Sequence, residues 1–434
     1  MRMFDLIEKK KQNLVLTDAE IQYIIDGYMS GEIEDYQMSA LLMACWFHKL
    51  TGEECFALTR AMATSGDMMD LREVAGLKAD KHSTGGVGDK ITLILLPIMA
   101  SLGIKMAKSS GKGLGYTGGT IDKLQSIGGL EVQLSRQQFT DILNEAGMVI
   151  SSQSANIAPA DKKIYALRDV TALVDDSALI ASSIMSKKLA SGADMIVLDV
   201  KCGNGAFMKE FDAAKSLAQL MVQIGKDAKK QTVAVITDMN IPLGRAVGNA
   251  VEIKEALSCL KGDMPSDIKE VVFALGIQIL LMGRKAENAN EAAKMMTEEI
   301  ESLRAYNRFC TFVAMQGGDV SQLEDTSRLP KSAIEKHIFA QESGYVSACD
   351  CGLVGRAALA AGAGREKKES DIDYGAGIYL EKTYGDAVQK GKSLAVVYAS
   401  TEAKAEEAAT LLQKSFRISK QEPPKRKMIK EILN

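Results

Sequence analysis

Two stretches rich in glycine and hydroxyl groups hold the residues best suited to chemistry. Asp80-Lys81-His82-Ser83-Thr84-Gly85-Gly86-Val87-Gly88-Asp89 is answered by Ser109-Ser110-Gly111-Lys112-Gly113-Leu114-Gly115-Tyr116-Thr117-Gly118-Gly119-Thr120. Each runs into an apolar-periodic segment, Ile91 to Leu102 and Thr120 to Ile127, that reads as a helix. A helix start presents unpartnered N–H groups and a partial positive charge, glycine lets an anion approach the backbone, and hydroxyls add donors. Taken singly, a glycine-rich turn is just a turn and a lone histidine a structural hydrogen bonder. Two such loops, one containing Lys81 and His82, predict a phosphate site. His82, with an unperturbed pKa of ~6.5, is suited to donate to an oxygen or pass a proton. A third constellation is Ser183 and Lys187, four apart and therefore on one helical face. Lys187-Lys188 reads either as a solvated surface pair or as part of a polar stripe pointing into a cleft.

These residues need a scaffold, and the chain of 434 residues is long enough for two or three domains. Net charge is −3, so no global basic field points to nucleic acid or an anionic membrane, and any phosphate preference is local. The seven cysteines form no CxxC pair; together with a charged N-terminus and no long apolar run, they predict a cytoplasmic protein.

The first 66 residues read as all-helical. Capping boxes stand at Thr17 to Glu20 and Thr51 to Glu54, and Tyr36 to His48 is apolar almost all round, which predicts a dimer face. Beyond residue 70, short segments (Ile104 to Lys108, Met148 to Ser151, Met195 to Asp199, Val233 to Ile236) alternate with helical patterns (Gln137 to Glu145, Asp212 to Gly225, Ala250 to Cys259). That alternation predicts an α/β fold with a mainly parallel sheet and ligands at the strands' carboxyl ends. The expected division is a helical domain (1–66 and 159–193), an α/β phosphate-binding domain (67–158 and 194–334) and a C-terminal α+β domain (335–434). In the last, Gly385 to Leu394 resembles the hairpin of barrel-sandwich modules without an evident lysine for modification.

Taken with Ala158-Pro159-Ala160-Asp161-Lys162, Tyr165-Ala166-Leu167-Arg168-Asp169 and Gly203-Asn204-Gly205-Ala206-Phe207-Met208, the two loops make the chain resemble, over essentially its whole length, the thymidine and pyrimidine-nucleoside phosphorylases. The resemblance implies a homodimer and reversible phosphorolysis, in which phosphate attacks C1' to give free base and pentose 1-phosphate. It implies inorganic phosphate as co-substrate, no organic cofactor and neither nucleic-acid nor membrane partners. Phosphate would be held by Lys81, Ser83, Thr92, Ser110 and Thr120, with Lys108, Ser109 and His82 nearby. The pyrimidine would be gripped by Arg168, Ser183 and Lys187, which with His82 form the catalytic set. Such a reaction builds positive charge on the sugar and negative charge on the leaving base, so an anion on one face and donors at the base suit it.

By the same resemblance a structural potassium or calcium ion would be bound by the carbonyls of Gly88, Lys90, Leu243 and Ala246 and the carboxylate of Glu255. Lys90 departs from the usual threonine, and an ammonium there would repel a cation. Lys112 and Tyr116 stand where arginine and histidine are common, and Cys202 replaces a threonine or valine. Lys108 matches the broad-specificity branch and predicts use of uridine as well as thymidine and deoxyuridine. The rivals are a thymidine-restricted phosphorylase, an anthranilate-type phosphoribosyltransferase, a dinucleotide enzyme suggested by Gly113 to Gly118, and a nucleoside-binding protein without turnover.

Overall fold

The computed structural model describes residues 1–113, 118–154, 156–365, 367 and 370–434. Tyr116 and the middle of the second glycine loop lie outside the described residues. Four helices open the chain: α1 (Met3–Lys11), α2 (Asp18–Ser30), α3 (Asp35–His48) and α4 (Gly52–Thr64). Both expected capping boxes form. Thr17 Oγ1 accepts from Glu20 N and Thr51 Oγ1 from Glu54 N, while each glutamate returns a bond from its cap N–H.

The α/β part follows as β1 (Lys78–Ser83), α5 (Ile91–Ser101), β2 (Lys105–Ser110), α6 (Thr120–Leu124), α7 (Arg136–Ala146), β3 (Met148–Ser152), α8 (Pro159–Val170), α9 (Ser177–Ala190), β4 (Met195–Cys202), α10 (Phe211–Asp227), β5 (Gln231–Asp238), β6 (Ala246–Gly248), α11 (Ala250–Leu260) and α12 (Ser266–Met282). Strands β1 to β5 pair in parallel, in the order β5-β4-β1-β2-β3. The four anticipated segments are all strands, each longer than its apolar stretch. The central strand β1 has no such stretch: it reads Lys-Ala-Asp-Lys-His-Ser. Helix α5 is buried from Ile91 to Ala100, which is why it carries no polar face.

The crossover from β3 to β4 is the inserted pair α8–α9. Ile164 and Leu179 of this pair share a core with Leu6, Ile21, Ile25, Leu42 and Ala61 of the first four helices. The insertion and the N-terminus therefore build one bundle above the carboxyl ends of the strands.

Helices α13 (Ala289–Glu301), α14 (Arg304–Met315) and α15 (Ser321–Glu324) lead into β7 (Ile334–Phe339), β8 (Gly344–Cys349), α16 (Cys351–Ala358), β9 (Gly377–Leu380), β10 (Ala387–Val388), β11 (Ser393–Ala399), α17 (Glu402–Ser415), β12 (Phe416–Ser419) and β13 (Ile429–Leu433). The run 385–394 is not a hairpin whose arms pair together. Strand β10 joins β8, whereas β11 joins β7 and β9, so the turn at Gly391 hands the chain from one small antiparallel sheet to another. Strand β13 returns to the large sheet, antiparallel to β5.

Candidate active site

The carboxyl ends of β1 and β2 and the helical pair α8–α9 border a cavity of about 500 Å³. Strand β1 delivers His82 and Ser83, β2 delivers Lys108, Ser109 and Ser110, and the starts of α5 and α6 deliver Thr92 and Thr120. Across from them α9 contributes Lys187 and Lys188, and Lys112 lies at the rim. The structure thus gathers His82, Ser83, Thr92, Lys108, Ser109, Ser110, Thr120 and Lys187 around one cavity. Lys81, Ser183 and Arg168 stand behind its wall.

Lys81 is fully buried beneath the floor. Its Nζ lies 3.5 Å from Thr92 Oγ1, 3.5 Å from Asp199 Oδ2 and 3.9 Å from Asp89 Oδ1. Lys201 adds a contact of 2.8 Å to Asp199 Oδ2. Burial works against the charge of Asp89, yet Lys81, Lys201 and Lys123 hold its carboxyl far below the usual range. Lys81, Asp199 and Lys201 come from the buried parts of strands β1 and β4, where an ion is tolerated only in company.

Lys108 has less company. Its Nζ approaches the Ser109 carbonyl at 3.4 Å, and among the described residues it makes no ion pair. Burial, followed by the charge of Lys188, brings its pKa down to about 7. His82 borders the cavity, with Nε2 enclosed and without a partner among the described residues. Burial and the surrounding Lys188, Lys108, Lys81 and Lys187 hold it well below the ordinary histidine value. It is therefore neutral near pH 7 in the free protein, which corrects the expectation of an imidazole titrating there. A buried donor and a buried ammonium lacking counter-charge both suit an incoming oxyanion.

On the bundle side, Lys187 Nζ contacts the Asp161 carboxylate and lies 3.2 Å from both the carbonyl and the hydroxyl oxygen of Ser183. Ser183 therefore positions Lys187 from behind. Arg168, expected at the base, is engaged elsewhere. Its Nε, Nη1 and Nη2 donate to the carbonyls of Leu173, Leu179 and Val174 at 2.9, 3.1 and 3.2 Å, fastening the α8–α9 connection. Lys188 is no surface lysine. It is buried and reaches Asp80 Oδ2 at 2.7 Å, tying α9 to β1. The sequence alone assigns no role to Lys188 or to the carboxylates of Asp80, Asp89, Asp161 and Asp199. The available signal was charge inside segments otherwise destined for burial.

The residues expected around a structural cation also converge, but on Lys90 itself. Its Nζ donates to the Leu243 and Ala246 carbonyls at 2.8 and 2.9 Å and lies 2.6 Å from Glu255 Oε2. The Gly88 carbonyl accepts from Lys90 N at 3.0 Å. Burial pushes the Lys90 ammonium down, but Glu255 and Glu252 overcome it and hold the value above that of an ordinary lysine. A second cation ~4 Å from this charge would meet repulsion of about 4 kcal/mol at an effective dielectric of 20. The set Gly88, Lys90, Leu243, Ala246 and Glu255 therefore does not fit a potassium or calcium ion.

Residues 75–306 match the glycosyl transferase family a/b domain, residues 4–66 its helical bundle domain, and residues 345–419 the pyrimidine nucleoside phosphorylase C-terminal domain. The chain is 50% identical over 419 residues to a pyrimidine-nucleoside phosphorylase of Geobacillus stearothermophilus, covering 96% of each chain. It is 50% identical over 400 residues to that of Staphylococcus aureus (strain bovine RF122 / ET3-1), covering 92% of each. Among solved structures it resembles the anthranilate phosphoribosyltransferase of Thermus thermophilus, with a TM-score of 0.57 at 17% identity over 72% of this chain and 99% of that one. The latter likeness concerns the fold alone.

Proposed function

The chain belongs to the pyrimidine-nucleoside phosphorylase family, and on that premise we propose that inorganic phosphate sits among Ser83, Thr92, Lys108, Ser109, Ser110 and Thr120 while Lys187 meets the pyrimidine from α9. The reaction is phosphorolysis of a pyrimidine nucleoside to free base and pentose 1-phosphate, a pentosyl transfer. The observation that carries this assignment of roles is the buried Lys108 amine, without an ion pair among the described residues, in a hydroxyl-lined cavity that Lys187 faces from the other side. Phosphate brings the missing negative charge, and the C1' atom lies between it and the base. Neutral His82 donates to an oxygen of sugar or phosphate, Lys187 stabilises the charge that develops on the departing base, and Lys81 acts on the anion from below through Thr92 and Asp89. Exclusion of water from the cavity favours phosphorolysis over hydrolysis.

Substrate range follows from Lys108, whose ammonium is available to a ribose 2'-hydroxyl. Uridine as well as thymidine and deoxyuridine are substrates on this reading. The test is release of base from uridine and thymidine, each with and without phosphate. Phosphate-dependent release from both supports it, and cleavage of thymidine alone would refute the role given to Lys108. The domain division at 1–66 with 159–193, 67–158 with 194–334, and 335–434 is kept as part of the proposal, as is a cytoplasmic homodimer. Support comes from seven free cysteines and from the apolar stripe of α3; among the described residues no helix is long and apolar enough to cross a membrane.

A further inference from the structure

Lys90 occupies an unusual place. It immediately precedes α5, whose second residue, Thr92, borders the anion cavity, and its own side chain leaves in the opposite direction into the segment 243–246. That segment is moulded around a charge pair. Glu255 Oε1 accepts from Arg245 N at 2.7 Å and Oε2 from Ala246 N at 2.9 Å. A Cβ on Gly244 would fall 2.7 Å from Glu255 Oε1, and one on Gly88, at φ +72°, would fall 2.6 Å from the Leu243 carbonyl. Leu243 N in turn donates to the Val87 carbonyl at 3.1 Å. The two backbone segments are therefore drawn together by contacts that converge on Lys90 Nζ, which supplies a donor to both buried carbonyls there.

We propose that the Lys90 ammonium is a covalently tethered monovalent cation, which clamps residues 243–246 to the start of α5 and so positions the phosphate loop without any bound metal ion. An ammonium and a potassium ion satisfy the same set of carbonyl and carboxylate oxygens. Tethering one of them removes the entropy cost of capture and makes the clamp independent of salt composition. Lys90 is a positioning residue, since it touches the loop and not the substrate. The role of the loop rests on the phosphorolytic reading, whereas the clamp itself does not.

The test compares the thermal midpoint and the phosphorolysis rate of the native chain and of Lys90→Thr in potassium, sodium, calcium and tetramethylammonium chlorides at matched ionic strength. The native chain should melt and turn over identically in all four. Lys90→Thr should lose on the order of 5–15 °C in Tm and roughly tenfold in rate in tetramethylammonium, and regain both in saturable fashion with potassium. Should Lys90→Thr prove insoluble, Lys90→Ala, which leaves the same carbonyl and carboxylate oxygens open to a cation, is read in the same way. A native chain that potassium stabilises or activates would overturn the proposal. So would a variant unaffected in tetramethylammonium, or one that no cation restores. The melting arm decides the clamp even if no nucleoside is cleaved, which separates failure of this inference from failure of the functional reading.

Discussion

Binding of a dianion should be accompanied by uptake of a proton by Lys108. In the free protein this lysine is buried, makes no ion pair among the described residues, and has its pKa brought down to about 7. An ordinary lysine titrates at ~10.4, so burial costs the charged form on the order of 5 kcal/mol. The sign follows from the depressed value. Below pH 7 both folded and unfolded chains carry the charge, and the folded chain bears the whole cost; the cost fades as pH rises from 7 toward 10.4. A dianion placed beside Lys108 supplies the missing opposite charge and returns the pKa toward its ordinary value.

Sulfate is the appropriate probe because, unlike phosphate, it does not titrate near neutrality. At pH 8 the free-state lysine is about one-tenth protonated, and full protonation on binding means uptake of ~0.9 proton. Isothermal titration in two buffers of different ionisation enthalpy reads that number directly. His82 does not confuse the result, since it is neutral in the free protein and far from titrating at pH 8. Over the same range, sulfate affinity should weaken about fivefold from pH 7 to 8. Uptake near zero at pH 8, or uptake that persists in Lys108→Met, would refute the argument.

Two further outcomes follow from the bundle. Lys10 Nζ lies 2.8 Å from Glu54 Oε2, both buried, and Glu54 also receives the N–H groups of Leu16 and Thr51. Lys10→Met should cost ~3–5 kcal/mol in urea unfolding by stranding the carboxylate, and a loss below 1 kcal/mol would mean that water reaches it. On α3, Tyr36, Met43 and Phe47 are 74, 40 and 67% exposed and, at spacings of seven and four, share one face. The chain should sediment as a dimer in dilute solution and Phe47→Asp as a monomer; a native monomer would refute the assignment of α3 as the interface.

What could be read from the sequence was what depends on local rules. The capping boxes, the helix after each glycine loop and the β/α alternation each express a preference set within a few residues. Strand β1 escaped because its neighbours, not its sequence, make it a strand: Asp80 is matched by Lys188, and Lys81 by Asp199, at sequence separations no periodicity can register. Lys188, open in the sequence between a surface pair and a cleft-facing stripe, is decided by the same distant partner. Arg168 sits in a motif that was recognised, yet its guanidinium is directed by three carbonyls whose positions depend on how the α8–α9 connection folds. Lys90 lay between these cases. Its clash with a cation was foreseeable from charge, but that the ammonium would itself fill the convergence point required the backbone of residues 243–246.

The distribution of contacts assigns the two sides of the cavity to different parts of the fold. Lys187 is held by Asp161 and Ser183, both in the inserted pair, and so travels with the bundle. Lys108, Thr92 and the serines travel with the sheet. The chain passes between the two parts near residues 66–69, 156–159 and 190–192, and these crossings are bonded to one another, Asp67 N to the Asn156 carbonyl and Met69 N to the Ala190 carbonyl, each at 2.8 Å. Lys188 and Asp80 bridge the parts two residues from the last crossing, where a rotation displaces them least. A hinge along this line would swing Lys187 toward the anion while keeping the Lys188–Asp80 pair intact. Gly66 and Gly192 admit the close approach, since a Cβ would fall 2.0 Å from the Asn156 carbonyl oxygen in the first case and 2.4 Å from that of Met69 in the second. If the base meets Lys187 and phosphate meets Lys108, as proposed, the two substrates sit on separate parts of the fold, and binding of both becomes the alignment that the transfer requires.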